Sequence, residues 1–380
     1  MRRSAERALL PAGLRDVLPP DAAFEAAVVE RLLACFAAQG YERVKPPLVE
    51  FEDSLLSGPG AAMAAHTFRL MDPVSQRMLG LRADMTPQVA RIAASRLRGA
   101  PRPLRLSYAG QVLRLRGSPL QPERQLGQAG VELIGADSAA ADAEAVLLAA
   151  AAVAAVGVAT LSVDLNLPTL VPAVAAALGL AAPAAAALVA ALDRKDAAAV
   201  AELAGNHDGL FLKLLRVAGP ARRALARLER LELPAAAAAE RARLAEVVDL
   251  VLAGAPDLAL TVDPVEHRGF EYHAGIGFAL FARRVRGELG RGGRYLSAAG
   301  DSSTGFTLYM DTLLRALPAP APPRRLFVPL GAPPAAAAAL RRKGWVTVAA
   351  LEPVADARAE ARRQGCSHLL QAGRARPVGP

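Results

Sequence analysis

The segment from Leu104 to Gly135 holds the side chains best placed to do chemistry. It reads as two strands joined by a long polar loop. In the second arm, period-2 alternation puts Leu126, Gln128, Gly130, Glu132 and Ile134 on one side and Ala129, Val131 and Leu133 on the other. Gln128 and Glu132 are therefore neighbours with a bare Gly130 between them. A glycine there leaves room above the sheet for a ligand or another backbone. An amide and a carboxylate flanking that room suit a ligand with an ammonium or imidazole group. The same pattern also fits a solvated sheet face with a permissive glycine. In the first arm, Leu104, Leu106, Tyr108, Val112, Arg114 and Arg116 share a face.

Two other stretches concentrate polar groups. Arg82-Ala83-Asp84-Met85-Thr86-Pro87 places Asp84 and Thr86 where a helix begins, with proline at its first position; helix capping is the alternative reading. His267-Arg268-Gly269-Phe270-Glu271-Tyr272-His273-Ala274-Gly275 mixes ionisable and aromatic groups within a strand pattern, which is unusual unless something polar is bound or buried there. Gly290-Arg291-Gly292-Gly293-Arg294-Tyr295 reads as a glycine-rich turn between strands. It is no P-loop, because GxxxxGK[ST] is missing. There is also no HExxH, CxxC pair or GxSxG, so spacing alone specifies no catalytic constellation. Five histidines and two cysteines make a structural zinc site an unpromising reading.

These groups must be positioned by a chain of 380 residues, long enough for two or three domains. Asp21 to Gly40 is a helix whose apolar stripe is Phe24, Val28, Leu32, Cys35 and Phe36, which makes Cys35 a core residue. Pro46 and Pro47 confine the next extended piece to a sheet edge or strand end, a natural place for another subunit to dock. Phe68 to Leu81 is a hairpin, Asp142 to Ala155 a helix and Ala159 to Asp164 a strand. Residues 168–256 are alanine-rich with almost no strand signal and read as an inserted helical domain. Strands return at Leu258 to Pro264 and Gly269 to Ala282. Ser302-Ser303-Thr304-Gly305 is expected to start a helix with Phe306, Met310, Leu313, Leu314 and Leu317 on its core face. A proline-rich linker at 318–323 leads to a strand–helix–strand–helix–strand tail. The alanine run from 145 to 161 falls short of the roughly 20 strongly apolar residues of a membrane span. Cys35 and Cys366 form no disulfide framework, and a reduced cytoplasm is the natural setting. The net charge of +9 reads as spread along the chain, with lysine only at 45, 195, 213 and 343, and so argues little for nucleic acid.

Taken in order, these pieces resemble the catalytic core of histidyl-tRNA synthetase, a class II aminoacyl-tRNA synthetase. Gly40 to Leu48 looks like motif 1 ending in its proline. Arg82 to Thr86 resembles the RPExT element, Arg124 to Glu132 the RQFxQxGVE segment and Arg268 to Gly275 the RGLDYYTG signature. The resemblance spans roughly residues 10–317. It implies an α+β fold: an antiparallel sheet flanked by helices, with core portions 1–167 and 257–317, a helical insertion at 168–256, and a linker with a small α/β domain at 318–380.

The departures bear on function. Motif 2 ends in Arg116 where the synthetase has an acid that helps hold ATP. Motif 3 carries Tyr309 in place of a glycine and Thr312 in place of the arginine that grips the triphosphate. Loss of such a charge-assisted clamp costs about 2–4 kcal/mol of transition-state stabilisation. The sequence thus looks like the synthetase-like regulatory subunits of ATP phosphoribosyltransferase, notably at Phe270 to His273, Glu288 to Tyr295 and Thr304 to Tyr309. That resemblance implies a non-catalytic protein without cofactor or metal. It would form a self-dimer through the core, assemble with a short catalytic subunit as a hetero-octamer, and relay feedback inhibition by histidine. The retained pocket would use Asp84, Thr86, Gln128 and Glu132 for the amino and imidazole groups and Arg114 or Arg268 for the carboxylate, with Tyr272, His273 and Tyr295 lining the ring site. Asp84 is one methylene shorter than the family glutamate, and His273 replaces a tyrosine. The alternatives are an active histidyl-tRNA synthetase or a tRNA-binding paralogue.

Overall fold

The computed structural model describes residues 10–117, 122–267 and 273–379, with only the backbone at Pro59 and His273. The chain divides into two compact units, Met1–Pro318 and Ala319–Pro380.

In the first unit, helix α1 (Asp21–Ala38) leads to strands β1 (Glu42–Arg43) and β2 (Val49–Phe51) and a short helix α2 (Glu52–Leu55). The hairpin β3 (Phe68–Met71) and β4 (Met78–Leu81) precedes helix α3 (Thr86–Ala94) and the long strands β5 (Leu104–Leu113) and β6 (Gln125–Ile134). Helix α4 (Ala139–Val156) and strand β7 (Leu161–Asn166) follow. The next stretch is helical: α5 (Leu170–Ala177), α6 (Ala182–Asp193), α7 (Ala197–Ala204) and α8 (Asp208–Leu215), then a two-residue strand β8 (Gly219–Pro220), α9 (Ala221–Glu229) and α10 (Ala235–Gly254). Strands β9 (Ala259–Asp263), β10 (His273–Ala282), β11 (Gly290–Leu296) and β12 (Ser302–Tyr309) and helix α11 (Met310–Ala316) close the unit.

The main sheet runs β1-β5-β6-β12-β11-β10-β7-β9-β8, and a smaller sheet runs β2-β4-β3. Every pairing from β5 through to β7 is antiparallel; the parallel pairs, β1 with β5 and β7 with β9, lie toward the edges. The alternation along β6 settles its two faces. Ala129, Val131 and Leu133 enter the large core with α1 and α4, whereas Leu126 and Ile134 enter a separate cluster with Met85 and Val89 of the α3 region and with Leu106, Tyr108 and Val112 of β5. The sheet therefore has a helix-covered face and a second face that carries the polar groups.

Helix α4 is long and apolar enough to cross a membrane, but 67% of it is buried inside the molecule. It begins at Ser138, whose side chain accepts from the Ala141 amide, and ends at Gly157 in the left-handed region. Its Glu144 is paired with Arg105 and accepts from Tyr41. It is a core helix, with α10 of the helical stretch packed against it.

Two local expectations change. Ser302 to Tyr309 is a strand, not a helix start; α11 begins only at Met310. Phe306 satisfies either period, and the slot between β6 and β11 imposes the strand, with ladders running on both sides. Gly290 to Leu296 is likewise a strand rather than a turn. Its glycines answer crowding: a Cβ at Gly290 would lie 2.5 Å from the Thr307 carbonyl oxygen, and one at Gly292 2.6 Å from the Phe278 ring.

The second unit comprises β13 (Arg325–Val328), α12 (Pro334–Arg342), β14 (Val346–Ala349), α13 (Ala357–Arg363), β15 (His368–Gln371) and β16 (Arg374–Pro377). The strands form a sheet in the order β14-β13-β15-β16, the first three parallel and β16 antiparallel. The last strand carries no sequence signal and forms through the tight turn after Gln371.

Candidate functional site

The second face of the sheet gathers most of the expected residues. Glu132 lies at the centre, 1% exposed. Its Oε2 accepts from the Tyr295 hydroxyl at 2.8 Å, and its Oε1 from the Tyr108 hydroxyl at 3.3 Å. The Tyr108 hydroxyl also lies 2.8 Å from Thr307 Oγ1 and 3.2 Å from Thr86 Oγ1. Strand register explains the convergence. Tyr108 of β5 stands opposite Gly130, Thr307 of β12 stands on the other side of Gly130, and Gly305 pairs directly with Glu132.

The room above Gly130 is therefore occupied. A Cβ there would come within 2.6 Å of the Tyr108 hydroxyl, so the missing side chain admits this protein's own phenol rather than leaving an open floor for a ligand.

Asp84 and Gln128 form the second half of the cluster. Asp84 Oδ1 accepts from the Met85 amide at 2.7 Å, and Gln128 Oε1 accepts from the same amide at 3.1 Å. Asp84 is buried just ahead of α3. Burial pushes its carboxyl up, and the attraction of Arg114 is the main force in the other direction. Burial likewise pushes Glu132 up to about 8, opposed by hydrogen bonds from Thr86, Tyr295 and Tyr108 and reinforced by the nearby Asp84. Two desolvated acids on one wall would ionise readily against a ligand cation. The lining thus suits an ammonium or imidazolium group, with Arg114 at the same end for a carboxylate.

The loop carrying Asp84 is anchored from behind. Arg82 Nε donates to the Gln111 carbonyl oxygen at 2.7 Å and Nη1 to that of Pro46 at 3.1 Å. Gln88 donates to the Pro47 carbonyl oxygen at 2.8 Å and to Glu50 at 2.9 Å. The start of α3 and the Pro46-Pro47 segment are thereby one braced piece.

Of the expected site residues, Asp84, Thr86, Gln128, Glu132 and Tyr295 come together, with Arg114 beside Asp84. Arg268 and Tyr272 lie outside the described residues. His273 is seen in its backbone only, directly across the β10–β11 ladder from Tyr295. Tyr108, Gly305 and Thr307 were missed as site residues. Alternation had put Tyr108 on the correct face, but only the β5–β6–β12 register shows what it meets. On the expected nucleotide side, Tyr309 pairs with Gln128 across β12 and β6 and is half-buried. Thr312 is buried in α11, accepting from Arg315 at 3.3 Å, and Arg116 is exposed. Among the described residues no group of His, Cys, Asp and Glu is arranged to hold a metal ion.

Comparison with known proteins first gives the class. Residues 13–313 match the histidyl-tRNA synthetase family. A solved structure described as an ATP phosphoribosyltransferase regulatory subunit/histidyl-tRNA synthetase from Bacillus halodurans has a TM-score of 0.81 at 24% identity, covering 94% of this chain and 96% of that one. The fold is that of a class II aminoacyl-tRNA synthetase. The chain is 62% identical over 370 residues to the ATP phosphoribosyltransferase regulatory subunit of Paramagnetospirillum magneticum, covering 97% of this chain and 98% of that protein. With the regulatory subunit of Rhodospirillum centenum it shares 59% identity over 376 residues, covering 99% and 97%. The chain belongs to the ATP phosphoribosyltransferase regulatory subunit family.

Proposed function

We propose that this protein is the non-catalytic regulatory partner of a short ATP phosphoribosyltransferase in histidine biosynthesis, and that it carries the feedback response to histidine. The observation that carries this reading is an asymmetry within one site. The acid-lined half is kept, with Glu132, Asp84, Gln128, Thr86 and Tyr295 in mutual contact or close by. The half that would grip a triphosphate offers Thr312, a short neutral side chain already hydrogen-bonded to Arg315, and Tyr309 in place of a bare backbone.

Free histidine has the groups this lining prefers. Its ammonium and imidazole meet Asp84, Gln128 and Glu132, and its carboxylate meets Arg114 or Arg268. Feedback then requires only that histidine bind one arrangement of the complex more tightly than another, with coupling of about 1–3 kcal/mol. Assembly as a core dimer within a hetero-octamer, in the cytoplasm, is part of the same reading.

The test is co-purification with a short catalytic subunit, followed by phosphoribosyl transfer assays with and without histidine. Dependence of activity on this chain and inhibition by histidine are expected. Gln128→Ala should weaken the inhibition. If calorimetry detects no histidine binding by the complex and Gln128→Ala leaves feedback unchanged, the pocket has no regulatory role. Robust exchange of pyrophosphate into ATP in the presence of histidine would instead identify an active synthetase.

A further inference from the structure

The positive charge of the chain is not spread along it. Residues 319–380 carry ten arginines and lysines against three acids, so seven of the nine surplus charges fall in the small second unit. Within that unit they also share one end. Because β13, β14 and β15 are parallel, their first residues lie side by side: Val346 pairs with Arg325, and Leu326 with His368. The antiparallel β16 brings its last residues to the same end, with Pro377 opposite His368. Helices α12 and α13 each finish just before β14 and β15, so their final turns lie there too. This end therefore collects Arg324, Arg325, Arg341, Arg342, Lys343, Arg362, Arg363 and Arg376, all exposed except the half-buried Arg325.

Of the three acids, only Glu360 approaches this end, where it is bonded to Arg363. Asp356 caps the far end of α13, and Glu352 lies in the loop after β14. Cations at helix C-termini ordinarily stabilise the helix. That accounts for Arg341, Arg342, Arg362 and Arg363, but not for Arg324, Arg325 and Arg376 at strand ends. Arg324 is held against the face of Trp345, its guanidinium 4.9 Å from the ring centroid.

The chemistry of the patch discriminates between partners. A protein interface needs an apolar centre. The strongly exposed large apolar side chains of this unit, Leu330 and Leu351, lie beyond the opposite ends of the strands, and only Val346 is exposed near the cations. A dense cationic end with little apolar surface fits a string of phosphates.

We propose that the basic end of the second unit binds the phosphate backbone of nucleic acid, without reading base sequence. This activity is separate from the pocket on the main sheet, and its test is independent of that reading. The probes are a fluorescently labelled single-stranded RNA of mixed sequence, a DNA duplex and poly-glutamate, each titrated with the full-length protein. Binding of nucleic acid is expected at about 50 mM salt, and a fourfold rise in salt should weaken it by about tenfold or more. The variant Arg341→Glu/Arg342→Glu/Lys343→Glu should weaken it by about tenfold or more and flatten its salt dependence. These side chains are exposed, and unchanged circular dichroism checks that the fold is retained. Arg222→Glu/Arg223→Glu/Arg230→Glu, on exposed positions of α9 and the residue that ends it, serves as the charge-matched control and should change binding little. The proposal is overturned if no nucleic acid binds at low salt. It is also overturned if the control variant loses as much affinity as the triple variant. Poly-glutamate binding as tightly as RNA would reassign the patch to an acidic protein.

Discussion

Gly305 and Glu132 face each other across the β12–β6 ladder, and the carboxyl of Glu132 fills the space that a side chain on Gly305 would need. The Val131 carbonyl oxygen closes the same space, so the strand cannot yield there. Gly305→Ala should displace the carboxyl from Tyr295 and cost about 1–3 kcal/mol, the usual range for overpacking. A lower Tm together with weaker histidine binding is expected; a variant with wild-type Tm and affinity would contradict this placement.

Glu132 also gives the fold a pH dependence. Its folded-state pKa is raised by burial from 4.5 to about 8. The folded protein therefore holds this proton more tightly than the unfolded chain does. That contribution to stability is complete below pH 4.5, falls as pH rises, and is lost once pH passes about 8. Glu132→Gln mimics the protonated acid and cannot titrate. Subtracting its Tm-versus-pH curve from that of the wild type should leave a decline between these limits, and a flat difference would show that Glu132 titrates normally.

A cationic ligand reverses the protonation of this residue. The ammonium of histidine, already charged at pH 7, favours the carboxylate when set against Glu132, so binding by that group should expel a proton. Calorimetry with histidine in two buffers of different ionisation enthalpy measures this directly. Binding heats that differ with buffer in the wild type and agree in Glu132→Gln are expected. Buffer-independent heats in both proteins would show that the ammonium does not lie against Glu132.

The Tyr108 hydroxyl is the common neighbour of Thr86, Glu132 and Thr307. Tyr108→Phe keeps the ring over Gly130 and removes only the oxygen. Leaving those buried groups one partner short should cost about 1–3 kcal/mol, read in urea unfolding. The lost hydrogen bond also lowers the Glu132 pKa in the wild type, so the variant should hold the carboxyl proton to higher pH. An unchanged unfolding midpoint would mean that other groups replace the hydroxyl.

Asp142, 3% exposed, is shared by two arginines of unequal burial, Arg294 at 4% and Arg243 at 26%. Arg294 Nη1 also donates to the Ala136 carbonyl oxygen and Nη2 to that of Ser138, at 2.9 and 3.1 Å. Arg294→Ala strips a buried acid of its enclosed partner and should cost about 3–5 kcal/mol. Arg243→Ala leaves Asp142 paired with Arg294 and should cost far less. Equal losses of stability in the two variants would show that Asp142 depends on Arg243 as much as on Arg294.

Much of this was legible in the order of residues. The alternation along β6 assigned Gln128 and Glu132 to one face, and the Thr86-Pro87 step marked the start of α3. What stayed hidden depended on register between strands distant in sequence. Nothing near Tyr108 announces that it will stand opposite Gly130, and nothing near Gly305 announces Glu132. The segment 302–310 satisfied a helical period through Phe306 and Met310, and only its enclosure between two long strands decides against it. Glycines were misread in a consistent way: at Gly130, Gly290 and Gly292 they make room for neighbouring atoms rather than for a turn or a ligand. The charge reads as spread only when taken over the whole chain; divided at the 318–323 linker, which the sequence already marks, it falls mostly in the tail.

Arg294 and Tyr295 are consecutive on β11, and their side chains leave the sheet in opposite directions. One is bolted into the start of α4 and, through Asp142, to Arg243 of α10; the other touches the carboxyl at the centre of the buried polar cluster. Sliding this strand by a single residue would exchange the two surfaces, so its position is locked from both sides. Strand and helical layer are therefore braced as one piece, and the brace reaches through the sheet to the buried Glu132 carboxyl.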